Sequence, residues 1–192
     1  IDKFIGDCVM AMWNAPLYQS NHVDLALHTA FKIEELVPTI NKRLVEQIGS
    51  EWPGGNISLG IGIATGNVVV GNFGSPSRLS YSVLGDTVNL AARIESLVKK
   101  TGITTTVSEA TANLTASNSL IELDSIYVRG RTSKEKVFVL HSLGNTERLT
   151  HSQITNSLAM DDSEELRKVL KTIKTGTYPK NLFDYYKNKV RD

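Results

Sequence analysis

Asn89 and Arg93 are the two side chains whose types and spacing most directly suggest chemistry. They stand four residues apart in a predicted helix from Thr87 to about Lys100, so both lie on one helix face about one turn apart. An amide and a guanidinium at this spacing can hold a ribose and a phosphate together, because the guanidinium makes planar bidentate contacts with phosphate. An exposed polar helix face without a ligand fits the same two residues, and the spacing alone leaves both interpretations open.

The glycines between Gly60 and Gly74 also suggest phosphate binding, but they match no known phosphate loop. The segment lacks the Gly-Lys-Ser/Thr ending of a P-loop, and no strand-to-helix turn carries Gly-x-Gly-x-x-Gly. Glycines in such a segment more often mark strand turns and close backbone packing. They do not by themselves predict a nucleotide site.

The elements that must position these residues alternate between strands and helices. Hydrophobic periodicity predicts the order β-β-α-β-β-α-β-α-β-β, an α+β arrangement. Gly6-Asp7 is predicted as the turn of a first hairpin, and Thr65-Gly66-Asn67 as the turn of a second one between residues 57–63 and 68–73. Residues 82–86 are expected to lead directly into the helix that carries Asn89 and Arg93.

A long amphipathic helix is predicted after the first hairpin. It should begin near His22 with Asn21 as its N-cap and stop at Gly49, and Pro38 should kink it or divide it in two. The last two strands are predicted at residues 121–128 and 136–141. Beyond residue 144 the strand pattern ends, and residues 145–192 are predicted as a helical C-terminal extension. Its basic face is either solvated or a site for a partner or anionic lipid.

Composition excludes several classes of protein. The 192 residues include 21 basic and 20 acidic side chains, and this balance gives no support for a nucleic-acid partner. A single cysteine, Cys8, rules out an intrachain disulfide, fits a reducing compartment and is expected to be a small buried apolar residue. The four histidines lie at no zinc-ligand spacing, and no apolar run reaches the ~18 residues of a membrane span. We therefore expect a cytoplasmic domain.

Three segments resemble motifs of the class III nucleotide cyclases, and their order and spacing along the chain are also those of that family. Residues 84–95 are similar to the signature helix of that family, residues 3–11 to its metal-binding hairpin, and residues 62–74 to its central glycine-rich hairpin. The resemblance runs from residue 1 to about residue 141. It implies a catalytic domain over residues 1–144 with the ferredoxin-like βαββαβ core of the nucleotide cyclase fold.

The family's first strand and helix have no counterpart here, and the sequence opens inside a patterned segment without an initiator Met. We expect those elements, one metal-binding aspartate and a regulatory domain to lie upstream in a longer parent protein. Residues 1–192 alone are accordingly expected to be inactive. A membrane anchor elsewhere in such a parent is compatible with this sequence.

The resemblance also implies roles for individual residues. Asp7 matches one of two aspartates that hold a pair of divalent cations, Mg²⁺ or Mn²⁺. Lys3 matches the lysine that reads the adenine ring, and Ser82 occupies the second base-reading position, where many members carry Asp or Thr. Asn89 matches the residue that orients the ribose, and Arg93 the one that stabilises charge on the transferring phosphoryl group.

A basic residue of the late hairpin usually grips the terminal phosphates in this family. Arg129, Arg131 and Lys134 all compete for that role here, and the match favours Arg131 and Lys134 without choosing between them. The other basic residues of the turn would then be solvated.

The resemblance implies an adenylyl cyclase that forms 3′,5′-cyclic AMP and pyrophosphate from ATP in intracellular signalling. Lys3 with Ser82 favours ATP, since guanylyl cyclases carry Glu and Cys at these positions. A homodimer with shared sites is expected, because metal aspartates of one protomer face the Lys, Asn and Arg of the other. A guanylyl cyclase and a catalytically silent module for nucleotide binding or dimerisation are the alternatives. Retention of Lys3, Asp7, Asn89 and Arg93 argues against the silent module.

Overall fold

The computed structural model describes residues 1–49, 54–97, 103–115, 120–127 and 134–140. Within these ranges the order of elements is ββαβββαβαββ, which is the α+β class predicted from the sequence with one strand more. The elements are β1 (Lys3–Ile5), β2 (Cys8–Met10), α1 (His22–Ile48), β3 (Ile61–Ile63), β4 (Val69–Ser75), β5 (Arg78–Leu84), α2 (Asp86–Glu95), β6 (Thr105–Ser108), α3 (Glu109–Leu114), β7 (Leu120–Tyr127) and β8 (Lys134–Leu140).

A four-stranded sheet in the order β3-β6-β8-β7 forms the centre of the fold. β3 runs parallel to β6, and β8 is antiparallel to both of its neighbours. The main core lies between this sheet and α1, where Leu27 packs with Val107 and Phe138. Each of these side chains is at most 1% exposed. Apolar side chains that recur every three or four residues put one face of α1 against the sheet.

α1 is continuous through Pro38, so of the two expected outcomes, a kink or a division, the division is wrong. Pro38 lies at an exposed position of the helix. Asn21 stands at the N-cap but makes no side-chain cap hydrogen bond, whereas Gly49 ends the helix with a φ of 88°, as predicted. The backbone N–H of Gly49 donates to the carbonyl of Val45 over 3.0 Å.

Two hairpins form separate two-stranded sheets, and only one of them is where the sequence predicted it. β1 and β2 pair around Gly6-Asp7, which confirms the first turn. The second hairpin prediction is wrong, because β3 pairs in parallel with the distant β6, and β4 pairs instead with β5. β5 itself was missed, since its alternating residues were assigned to the approach to the next helix.

Cys8 is exposed on β2, which corrects the expectation that it is buried. The β1–β2 sheet has only two strands, and the burial of β2 never exceeds an intermediate level.

β7 and β8 pair as the late hairpin that the sequence predicted, with a register shift between Glu122 and Asp124. The basic turn that joins them and the predicted extension over 145–192 lie outside the described residues. Within the described ranges no helix combines the length and apolar character needed to cross a bilayer.

Candidate active site

The helix α2 presents Asn89 and Arg93 on one face and a buried apolar stripe on the other. Leu90 and Ile94 are 3% and 0% exposed and pack against Val137 of β8, whereas Asn89 is exposed and Arg93 is half-buried. The predicted shared face is therefore present. The helix begins at Asp86 with Gly85 at the N-cap, and the Asp86 carboxylate lies in the first turn, where it interacts favourably with the helix dipole.

Two contacts fix α2 on the central sheet. Gly62 of β3 lies directly beneath α2, and the backbone atoms of Ala91 and Glu95 occupy the space that a β-carbon on Gly62 would need. The buried hydroxyl of Thr106 on β6 donates a 2.7 Å hydrogen bond to the carbonyl of Ile94, in the last turn of the helix. The position of Arg93 thus depends on two strands that are not its neighbours in the chain.

Lys3 and Ser82, the predicted base-reading pair, meet at one carboxylate oxygen. The Ser82 hydroxyl donates to Oδ2 of Asp2 over 2.9 Å, although the two residues are 80 positions apart. The Lys3 ammonium lies 3.6 Å from the same oxygen. This cluster joins the β1–β2 hairpin to the β4–β5 hairpin.

The three members of the cluster differ in exposure. The Lys3 side chain is 41% exposed, whereas the Asp2 side chain is 0% exposed and Ser82 is 3% exposed. The second carboxylate oxygen of Asp2, Oδ1, is buried and has no hydrogen-bond partner in the described part of the chain. Lys3 is therefore the member that a ligand meets first.

Sequence reasoning missed Asp2. An acidic residue directly before Lys3 was the available signal, but adjacent residues of a strand point to opposite faces, so local spacing did not suggest a contact. The contact forms because the lysine stem is flexible and β5 brings Ser82 to the start of β1.

Asp7 lies in the exposed turn between β1 and β2. Its carboxylate is the oxygen donor type that Mg²⁺ and Mn²⁺ prefer, and its exposure leaves it accessible to an ion. The described ranges contain no group of three or more His, Cys, Asp or Glu side chains that could hold a metal. Asp7 thus supplies one ligand of the donor type that these ions prefer, and the described residues do not supply a complete ligand set.

Lys134 is exposed at the first residue of β8, and its ammonium lies 5.0 Å from the centroid of the Tyr127 ring. Arg129 and Arg131, its competitors for the phosphate role, lie outside the described residues.

An open surface depression lies elsewhere, near the N-terminal ends of α2 and α3. Its walls include Asn67, Asp86, Glu109 and Glu135, and it contains none of the predicted site residues. The described candidate residues instead occupy four places: the turn at Asp7, the Lys3–Asp2–Ser82 cluster, the outer face of α2, and Lys134 at the start of β8.

Known proteins resemble this chain in both sequence and fold. The family model for the adenylate and guanylate cyclase catalytic domain matches residues 3–142. An adenylate cyclase of Anabaena cylindrica is 37% identical over 142 residues, which are 72% of this chain and 27% of that protein. Adenylate cyclase 1 of Rhizobium meliloti is 39% identical over 110 residues, 57% of this chain and 16% of that protein. The chain therefore spans about a quarter or less of these relatives' length.

Two crystal structures show the same fold. The guanylyl cyclase Cya2 superposes with a TM-score of 0.62 and 26% identity, covering 74% of this chain and 70% of that one. The adenylyl cyclase CyaB from P. aeruginosa gives a TM-score of 0.59 and 26% identity, with 73% and 70% covered.

Proposed function

This chain belongs to the adenylate and guanylate cyclase catalytic domain family, and from that premise we propose that it is the catalytic domain of an adenylyl cyclase. The proposed reaction is intramolecular: the ribose 3′-oxygen bonds to the α-phosphorus of ATP, and the bond from that phosphorus to the β-phosphate oxygen breaks. The hydroxyl proton is released and pyrophosphate leaves. The product, 3′,5′-cyclic AMP, would serve in intracellular signalling.

The observation that carries the proposal is the meeting of Lys3 and Ser82 at Asp2. A lysine offers only donors, which suits the ring nitrogen acceptors of adenine, and a serine hydroxyl can accept from its amino group. Residues so far apart in sequence have no local reason to converge. Their convergence supports a shared role in holding a nucleobase.

Asn89 and Arg93 would act on the sugar and the phosphates. The amide of Asn89 orients the ribose, which brings the 3′-oxygen into line with the α-phosphorus. The guanidinium of Arg93 meets the charge that develops on the transferring phosphoryl group, so its contribution is larger in the transition state than in the ground state. Bound Mg²⁺ or Mn²⁺ ions would supply Lewis-acid neutralisation of the phosphates, and Asp7 is the described residue that would hold them.

Lys134 or Arg131 would bind the terminal phosphates of ATP. Lys134 is exposed and its ammonium lies over an aromatic ring, a geometry that leaves its other donor directions open to an anion. A lysine suits this role as a point charge, whereas an arginine would make bidentate contacts.

A second copy of the chain is the proposed partner. The β1–β2 hairpin exposes the cross-strand pair Phe4 and Val9, which are 70% and 54% exposed. The β4–β5 hairpin exposes Val69 and its partner Leu84, at 66% and 53%. Exposed apolar side chains on both hairpins support a contact with another chain. A two-fold dimer would allow Asp7 of one protomer to face α2 of the other and form two equivalent sites.

We place this dimer in the cytoplasm and expect a regulatory domain upstream in the natural protein. The reason to expect a further domain is the length of the relatives, of which this chain spans 27% and 16%. Inactivity of residues 1–192 alone stays a prediction.

The test is cyclic nucleotide production by the full natural protein with Mn²⁺, given either ATP or GTP. Cyclic AMP from ATP, with loss of product in the Arg93→Ala variant, is the expected result. Cyclic GMP as the main product would instead establish a guanylyl cyclase. A folded dimer that forms neither product would contradict the proposal and favour a silent module.

A further inference from the structure

Asp2 has the features of a residue kept for function rather than for stability. Its side chain is 0% exposed, and one carboxylate oxygen accepts the Ser82 hydroxyl hydrogen bond and lies 3.6 Å from the Lys3 ammonium. The other oxygen is buried without a hydrogen-bond partner in the described ranges. A buried carboxylate with an unpaired oxygen is costly, and such exceptions in native proteins call for an explanation.

We propose that Asp2 determines nucleobase specificity by positioning Lys3 and fixing the proton of Ser82. Since the base-reading roles of Lys3 and Ser82 belong to the proposed function, this inference rests on it. Asp2 itself does not touch the base, because its side chain is 0% exposed and its Oδ2 faces Lys3 and Ser82, both of which keep some exposed surface. It is a positioning residue that acts through its two neighbours.

The direction of the Ser82 hydrogen bond sets what that hydroxyl can do. A serine hydroxyl has one proton and two lone pairs, and the proton of Ser82 is engaged by Asp2. Only lone pairs remain for a ligand, so Ser82 accepts and does not donate. Adenine presents an amino donor at its 6-position, whereas guanine presents an oxygen acceptor there. A serine held in this way accepts from adenine and opposes guanine.

The ion pair with Asp2 fixes the complementary donor. The Lys3 ammonium lies 3.6 Å from the oxygen that also receives the Ser82 proton, so one carboxylate sets the spacing of both groups. Lysine has a long flexible stem, and holding it in one place before binding reduces the entropy lost on binding. Lys3 and Ser82 thus form a preset donor–acceptor pair that matches adenine and mismatches guanine.

The Asp2→Asn substitution tests this assignment in the full natural protein, because it removes the charge at constant size. The ratio of kcat/KM for ATP to kcat/KM for GTP should fall by about tenfold, which is the size of the discrimination that one base contact provides. The fall should come mainly from a higher KM for ATP. The kcat with ATP should change less than about threefold, because Asp2 does not touch the reacting phosphate. Equal losses for both nucleotides would indicate a structural role only and would overturn the inference.

Asp24→Asn is the matched control. The Asp24 carboxylate also accepts a hydroxyl hydrogen bond from a distant residue, Thr115, over 2.6 Å, but it lies on α1 away from the site. The Asp24→Asn substitution should leave the ratio of kcat/KM for ATP to kcat/KM for GTP unchanged. In a Lys3→Ala background, Asp2→Asn should add less to the loss of ATP selectivity than it does alone, since part of its effect passes through Lys3.

Nucleotide binding gives a second readout that needs no turnover. Displacement of a fluorescent N-methylanthraniloyl nucleotide by ATP or GTP, with Mn²⁺ present, should show the same loss of preference in Asp2→Asn. If the natural protein forms no cyclic nucleotide but Asp2→Asn abolishes its preference for ATP, the inference stands and the proposed activity fails. Cyclic AMP formation with an unchanged ATP preference in the variant would overturn the inference alone. A natural protein that binds both nucleotides equally overturns it as well.

Circular dichroism decides whether each variant is folded. Should Asp2→Asn not fold, Asp2→Ser replaces it, because this smaller side chain also removes the charge and buries fewer polar atoms. The same loss of ATP preference is expected from it, and an unchanged preference would again overturn the inference.

Discussion

Gly62 and Ala91 lie in direct backbone contact, with the carbonyl oxygen of Ala91 in the space that a β-carbon on Gly62 would fill. This contact brings α2 down onto β3, and α2 carries Asn89 and Arg93 on its other face. The geometry of the candidate active site therefore depends on the absence of one methyl group in a strand below it.

Gly62→Ala should destabilise the domain by about 1–3 kcal/mol, because the new β-carbon forces the helix backbone away from the strand. Urea unfolding would measure this change in the free energy of unfolding. Gly71→Ala is the control, since a β-carbon there meets nothing within 4 Å. If both variants were equally stable, the close packing of α2 on β3 would be in error.

Arg93→Ala should lower kcat with ATP by about 10²–10³-fold with a smaller change in KM, because the charge that Arg93 meets develops in the transition state. Steady-state kinetics of the full natural protein would measure both constants. Arg93→Lys should recover only part of the loss, since an ammonium lacks the planar bidentate geometry. Arg43→Ala, at an exposed position of α1, should behave as the unmodified protein. A change confined to KM would contradict the assigned role.

Asp7→Asn should weaken Mn²⁺ binding in the presence of ATP by more than about tenfold, because even outer partners of a metal contribute 10–100-fold. Titration calorimetry would measure the affinity. The melting temperature should hardly change, since Asp7 is exposed in a turn. Glu46→Gln, which removes a carboxylate with 60% side-chain exposure on α1, is the control and should bind Mn²⁺ normally. Unchanged affinity in Asp7→Asn would remove this residue from the metal site.

Burial raises the pKa of Glu34 above its ordinary value of 4.5, although the hydrogen bond from the Thr105 hydroxyl acts in the opposite direction. The folded protein therefore holds this proton more tightly than the unfolded chain, and the free energy of unfolding falls as pH rises from 4.5 through the raised value. Glu34→Gln, which keeps an acceptor for Thr105, should be more stable than the unmodified protein at neutral pH.

Thermal unfolding at a series of pH values would test this. The advantage of Glu34→Gln should disappear below 4.5, where the carboxyl is protonated in both folded and unfolded chains. Glu35→Gln, at the neighbouring exposed position, should show no such gain. A Glu34→Gln variant that is less stable than the unmodified protein at neutral pH would contradict the prediction.

Local chemistry in the sequence predicted the parts of the fold that residues close in the chain determine. Gly6 turns the first hairpin with a φ of 63°, a conformation that favours glycine. Gly49 ends α1 with a φ of 88°, a second conformation that favours glycine. The face shared by Asn89 and Arg93 likewise follows from helical periodicity alone.

Distant pairings account for what the sequence did not predict. Thr65-Gly66-Asn67 has the composition of a hairpin turn, but the strand before it pairs with Thr105–Ser108 instead. The contact of Asp2 with Ser82 spans 80 residues and depends on how two hairpins pack together. Side-chain periodicity carries no information on such partners, because many registers would satisfy the same pattern.

The parallel pairing of β3 with β6 also orders events during synthesis. Parallel strands need a long crossover, and here the crossover contains β4, β5 and α2, and with them Ser82, Asn89 and Arg93. A ribosome must therefore deliver Thr105–Ser108 before the segment that bears these residues can close on the sheet. Until then the apolar stripe of α2, Leu90 and Ile94, has no sheet to bury it, because Thr106 and Val137, which it packs against, are still to come.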